Sequence, residues 1–240
     1  MLHTSHKSLR YDIHALGWIV LAAPIMLLSG FLLFAVLLLI MGIDPTRFFV
    51  AGLEMFLPIA MGIIVSTTCT RDAALEIQLT FPRTFAATAM RRALLTLGWS
   101  ALLALGATLI LILLRPDIQP QQMQSLPLLL ALVGDQLLWL APLLWFTALG
   151  MFITLLTHSR TAGGALLSTI WLLEMLFIKN LLPHNPWLRP LFLFPTTLEP
   201  TISDWLSTRS EILGMALLLF ILSWLLLRNR EHILKGIHHE

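Results

Sequence analysis

The chain has 240 residues, 58% of them hydrophobic and only 12% charged, with a formal net charge of +2 and a pI near 9.1. Soluble domains carry about 25% charged residues, so a water-soluble globule is excluded, and bases this scattered make no nucleic-acid-binding face. The lone Cys69 has no partner for an internal disulfide.

Residues 13–43, 93–114, 136–157 and 212–227 contain no Asp, Glu, Lys or Arg. About 20 apolar residues, rising ~1.5 Å each, match the ~30 Å hydrocarbon core of a bilayer. Inside lipid the backbone must bond to itself, which predicts helices, and the alternating pattern of a membrane barrel is absent. The expected fold is all-α: one polytopic transmembrane domain over residues 1–240, with six transmembrane helices at 17–41, 49–69, 93–114, 127–156, 161–182 and 211–228.

The chain opens on residues 1–16, where Leu9, Ile13 and Leu16 make a stripe that excludes Lys7, Arg10 and Asp12. This predicts a short interfacial helix, or else the frayed end of the first span. The apolar run that follows is too long for a signal-peptide core and has no small-residue cleavage site, so it reads as a retained span. Asp44-Pro45 marks a tight turn to the second span. The loop 70–92 is long enough to hold a helix. Asp72 can cap its start, Leu75, Leu79 and Ala86 supply an apolar stripe, Arg71, Glu76 and Arg83 stay polar, and Pro82 ends or kinks it. Arg91 and Arg92 then anchor the third span at the headgroups. A polar, proline-broken loop follows this span, and residues 157–161 form a minimal turn. Residues 183–210 carry five prolines among apolar and aromatic side chains, too apolar for a free loop and too broken for a span. An extracytoplasmic re-entrant or interfacial hairpin is expected there.

Orientation follows from the loop bases. With both termini cytoplasmic, the inside holds Lys7, Arg10, Arg71, Arg83, Arg91, Arg92, Arg160, Arg228, Arg230 and Lys235; the outside holds Arg47, Arg115, Lys179, Arg189 and Arg209. Ten bases against five favour this arrangement and an even number of crossings in the cytoplasmic (inner) membrane.

The segment RDAALEIQLTFPR (71–83), the Arg91-Arg92 pair, and the later FITLLTHSRTAGGA (152–165) resemble the membrane subunits of type-2 ATP-binding-cassette exporters. The resemblance covers most of the chain and lies in the order and spacing of these features. It implies a bacterial export permease whose coupling helix, about 72–81, docks on a separate ATPase subunit. The contact would use Arg71, Asp72, Leu75, Glu76, Leu79, Pro82 and Arg83, with His158 and Arg160 as a second contact. It also implies a second permease chain, identical or related. The chain has no G-x-x-x-x-G-K-[ST] phosphate loop, and none of its three lysines follows a glycine. ATP and Mg would therefore belong to the partner, and no cofactor to this chain.

Glu54, Asp135 and Glu174 fall inside predicted spans. An ionised acid facing lipid costs about 2.5–3.5 kcal/mol on insertion scales. These three either line an outward pathway for a cationic substrate, or are neutralised by Lys179 or Arg47 or by water at the span ends. The eight histidines include no H-E-x-x-H and lie mostly at the termini, so no metal site is expected. Ser100 has no His base placed near it; with Ala104 and Thr108 it recurs every four residues, as a packing face does, so no catalytic residue is assigned. Trp18, Trp187 and Trp205 read as interface anchors. Besides the ATP-driven permease, an ion-coupled secondary transporter, an intramembrane hydrolase and a non-transporting membrane assembly factor are the alternatives.

Overall fold

A computed structural model of the chain describes residues 17–68, 85–114, 127–178, 180, 186–199 and 204–237. Everything described is helix, turn or short connection, with no strand among the described residues. The interfacial segment 1–16 and the coupling residues Arg71 to Arg83 lie outside this set.

The first helix, α1, spans Trp18–Ile40 and α2 spans Thr46–Thr68. Between them the Asp44 carboxylate accepts from the Thr46 amide (3.1 Å) and hydroxyl (2.6 Å), closing the Asp-Pro turn. The helix α3, Phe85–Leu114, begins eight residues before the span expected from the sequence, so Arg91 and Arg92 sit inside it. The fourth apolar stretch is two helices, α4 (Leu128–Asp135) and α5 (Leu137–Thr157), broken at Gln136. The Gln136 side chain bridges the break, donating to Leu132 O and accepting from Trp139 Nε1. Next come α6 (Arg160–Leu173), the four-residue α7 (Pro195–Leu198) and α8 (Trp205–Ile237).

Among the described residues, five helices are long and apolar enough to cross a membrane: Trp18–Ile40, Thr46–Thr68, Ala86–Ile112, Leu130–Thr157 and Trp205–Asn229. The sixth apolar helix, Thr161–Phe177, is shorter than these. The centre of the bundle is α2 and α5, whose surfaces are mostly enclosed, while α1, α3 and α8 keep large apolar side chains outward. Such an exterior suits lipid.

Between apolar helices in lipid there is little hydrophobic drive, so close approach and hydrogen bonding hold them. The α2–α5 contact shows why glycine is needed. A Cβ at Gly62 would fall 2.8 Å from Phe146 O, and one at Gly150 would fall 2.8 Å from Gly62 O. The two backbones touch there. At Gly163 of α6 a Cβ would meet Thr154 Oγ1 at 2.4 Å, so α6 closes on the same seam. The turn from α5 to α6 takes two residues. His158 adopts a left-handed conformation (φ 57°) and the Ser159 hydroxyl caps α6 by accepting from the Ala162 amide at 3.3 Å. On α3 the expected packing face is observed: Ser100 and Ala104 are fully buried and Thr108 nearly so. The Ser100 hydroxyl donates to Thr96 O of its own helix at 2.9 Å.

The bundle has two distinct ends. At one, Val65 of α2, Ala86 and Ala89 of α3, Met151 and Leu155 of α5 and Leu227 of α8 pack together. The chain ends that flank residues 69–84 and the His158–Ser159 turn belong to this end. At the other, residues 192–195 are buried against α2, α5 and α8, with Phe194 stacked on Phe146 at 5.9 Å.

Candidate functional site

The polar centre of the molecule lies at that second end, and two of the three acids flagged from the sequence form it. Glu54 and Arg209 have no exposed surface, and Glu174 is 5% exposed. Glu54 sits in α2 within a π-helical turn, Gly52–Phe56, where the Leu57 amide reaches back five residues to Gly52 O. Glu174 opens a second π-helical turn, Glu174–Ile178, directly after α6. Arg209 projects from the first turns of α8.

These side chains hold the chain between α6 and α8. Glu54 Oε1 accepts from the Thr196 amide (3.0 Å) and from Arg209; its Oε2 accepts from the Thr197 amide (2.7 Å) and hydroxyl (2.5 Å). Glu174 Oε1 accepts from the amides of Leu193 and Phe194, the latter at 3.0 Å. Arg209 also donates to Leu193 O at 2.8 Å and to Thr196 Oγ1 at 3.2 Å. The orphan amides at the start of α7 thus find a carboxylate, which the helix-end dipole also favours. A buried ion pair recovers its desolvation cost only when its remaining hydrogen-bonding capacity is satisfied. Glu54 meets that condition with donors on both oxygens. Glu174 Oε2 and Arg209 Nε have no hydrogen-bond partner among the described residues.

The cation that neutralises Glu54 is Arg209. The sequence reading assigned Arg209 to the outer loop and offered Lys179 or Arg47 instead; Lys179 lies outside the described residues and Arg47 is exposed. Trp205 is likewise corrected. It is 1% exposed, not an interface anchor. One helical turn before Arg209, its ring lies 5.3 Å from the guanidinium carbon, and its indole N–H donates to Thr196 Oγ1 at 2.8 Å. Trp18 and Trp187, by contrast, are both more than 70% exposed. At the neck of the loop, Arg189 pairs with Asp204 where both side chains are part exposed.

Asp135 is buried at the α4–α5 break and is not among the groups that this network joins. His158 is exposed at the opposite end of the bundle, and Arg160 begins α6 beside it. Among the described residues, no three His, Cys, Asp or Glu side chains cluster so as to hold a metal. Chemically, the Glu54–Arg209–Glu174 cluster is a clasp on the backbone of residues 193–197.

No protein-family model, curated protein or solved structure matches the chain.

Proposed function

We propose that the chain is the membrane permease subunit of an exporter driven by a separate ATP-binding-cassette ATPase. The observation that carries this reading is the two-ended bundle. The ends of α2 and α3 that flank residues 69–84 and the His158–Ser159 turn issue from one end, and the clasped loop 186–199 occupies the other. A motor-driven permease needs a docking face and an exit face separated in this way.

In this reading Thr161–Phe177 is a sixth, short crossing, about 26 Å long at ~1.5 Å per residue. Six crossings put both termini on one side, and the loop bases make that side the cytoplasm. Arg71, Asp72, Leu75, Glu76, Leu79, Pro82 and Arg83 form the helix that seats in the ATPase, with His158 and Arg160 as its second contact. ATP and Mg are bound by the partner. A second permease chain completes the translocation path between the two subunits. Residues 186–199 dip back from the outer face, and Glu54 and Glu174 serve to hold them there.

The test is purification of the chain in mild detergent from its native cells. A stoichiometric ATPase should accompany it, and Glu76→Lys should strip that ATPase away. A chain that purifies alone, or a Glu76→Lys complex with unaltered composition and ATPase rate, refutes the reading. A second reading, an ion-coupled transporter, is favoured by one observation, the buried Glu174 Oε2 with no hydrogen-bond partner among the described residues. Loss of transport in Glu174→Gln together with no co-purifying ATPase would select it.

A further inference from the structure

Both carboxylates that hold residues 193–197 lie in π-helical turns, and these are the only two such turns among the described residues. A π turn carries an extra residue relative to α-helix, is rare, and recurs at functional sites. Converting it to α geometry turns the flanking helix by about 100°, the rotation per residue of a 3.6-residue turn. A rotation of that size would carry Glu54 off the Thr196 and Thr197 amides, and Glu174 off Leu193 and Phe194.

The first turn touches the helix that leads into the second. Phe56, which closes the first, meets Trp171 at 5.5 Å between ring centroids, and Trp171 O accepts the backbone N–H of Glu174, which opens the second. The Phe192 N–H donates to Arg189 O, but the next free amides, of Leu193, Phe194, Thr196 and Thr197, all donate to these two acids. Arg209 ties the two halves together, since it donates to Glu54, to Leu193 O and to Thr196 Oγ1.

We propose that residues 192–197 are a releasable strap. It is held while Gly52–Phe56 and Glu174–Ile178 are π-helical, and freed in one step when they convert to α-helix. The strap would open the exit end of the permease proposed above. The device itself uses only residues of this chain, so its test stands apart from the presence of an ATPase. Static caps would give each acid its own local effect; a latch gives a shared one.

The test is hydrogen exchange, resolved to single amides by fragmentation mass spectrometry, on the full chain in lipid nanodiscs. Thr197→Val removes one hydroxyl bond to Glu54 and leaves every amide bond in place. A hydrogen bond to a charged group is worth roughly 10- to 100-fold in an opening equilibrium. The latch predicts that the amides of Leu193, Phe194, Thr196 and Thr197 all exchange faster by one common factor of that order. The amides of Ala148 and Leu149 in α5 should not change. Glu174→Gln should produce the same joint acceleration from the other side; should it fold poorly, Thr197→Val alone decides. Acceleration confined to Thr196 and Thr197, or no acceleration at all, would overturn the proposal.

Discussion

A methyl group placed at Gly150 has nowhere to go. Its carbon would lie 2.8 Å from Gly62 O and 3.0 Å from Leu167 Cδ1. Close carbon–oxygen contacts in proteins sit at about 3.3–3.6 Å, so the neighbour must retreat by roughly 0.5–0.8 Å. Leu167 can shift its side chain. Gly62 O is backbone in the middle of α2, so the whole helix must separate from α5, along a seam where Gly62 makes the reciprocal contact with Phe146 O. Overpacking of this kind costs about 1–3 kcal/mol, offset by about 0.5–1 kcal/mol from replacing glycine in a helix. The expected net loss for Gly150→Ala is about 1–2 kcal/mol, or roughly 2–8 °C in Tm for a chain of this size. Gly98→Ala in α3 is the control: a Cβ there meets nothing within 4 Å, so only the helix gain remains and Tm should rise. Thermal unfolding of the three proteins in one detergent, followed by a thiol-reactive dye or circular dichroism, reads the difference. Shifts of the same sign for Gly150→Ala and Gly98→Ala would refute the close-contact argument.

Arg209→Met should destabilise by about 3–5 kcal/mol, because it strands a buried carboxylate. Adding Glu54→Gln should restore part of that loss, since it removes the stranded charge and its single amide oxygen still accepts from the Thr197 amide and hydroxyl; a further loss in the double variant, measured by Tm, would contradict the pairing. At His158, whose φ is 57°, glycine should leave Tm unchanged or raise it. Valine there should lower Tm, the left-handed conformation costing about 1–2 kcal/mol for residues with a Cβ; equal Tm values for the two variants would discount the turn. Ser159→Ala should cost about 1 kcal/mol as a lost helix cap, and Ser159→Asp should recover it in the same assay.

The apolar runs gave the helices because their lengths answer to the bilayer. The ends of those helices were harder to read, and the site suffered for it. A last helix that starts at 211 leaves Arg209 at the end of the expected hairpin 183–210, apart from the spans that carry the acids. A signal was present: Trp205, Arg209, Ile212 and Ala216 recur at helical spacing, and all four are buried. Reading that stripe as one face would have placed the cation opposite the acids. The glycine seam also left a trace, in Gly62 with Ser66 and Gly150 with Thr154, each pair four residues apart as small residues at helix contacts often are. The π-helical turns left none, since one extra residue in a helix alters register without altering composition. Glu54 and Glu174 were conspicuous for the cost of burying them. What they bind is set by the fold of residues 192–197, which no local pattern specifies.

The Glu54–Arg209 pair joins residues 155 positions apart in sequence, and this has a consequence for how the protein is made. At roughly 5–20 residues per second, a ribosome delivers Arg209 about 8–30 s after Glu54 has left the peptidyl-transferase centre. During that interval the second helix carries an acid with no counter-charge and is a poor tenant of hydrocarbon. The insertion machinery or a neighbouring helix has to shelter it until Arg209 arrives. A nascent chain cut short before residue 209 therefore keeps the apolar segments that precede α8 and can enter the bilayer, yet lacks the guanidinium that answers Glu54.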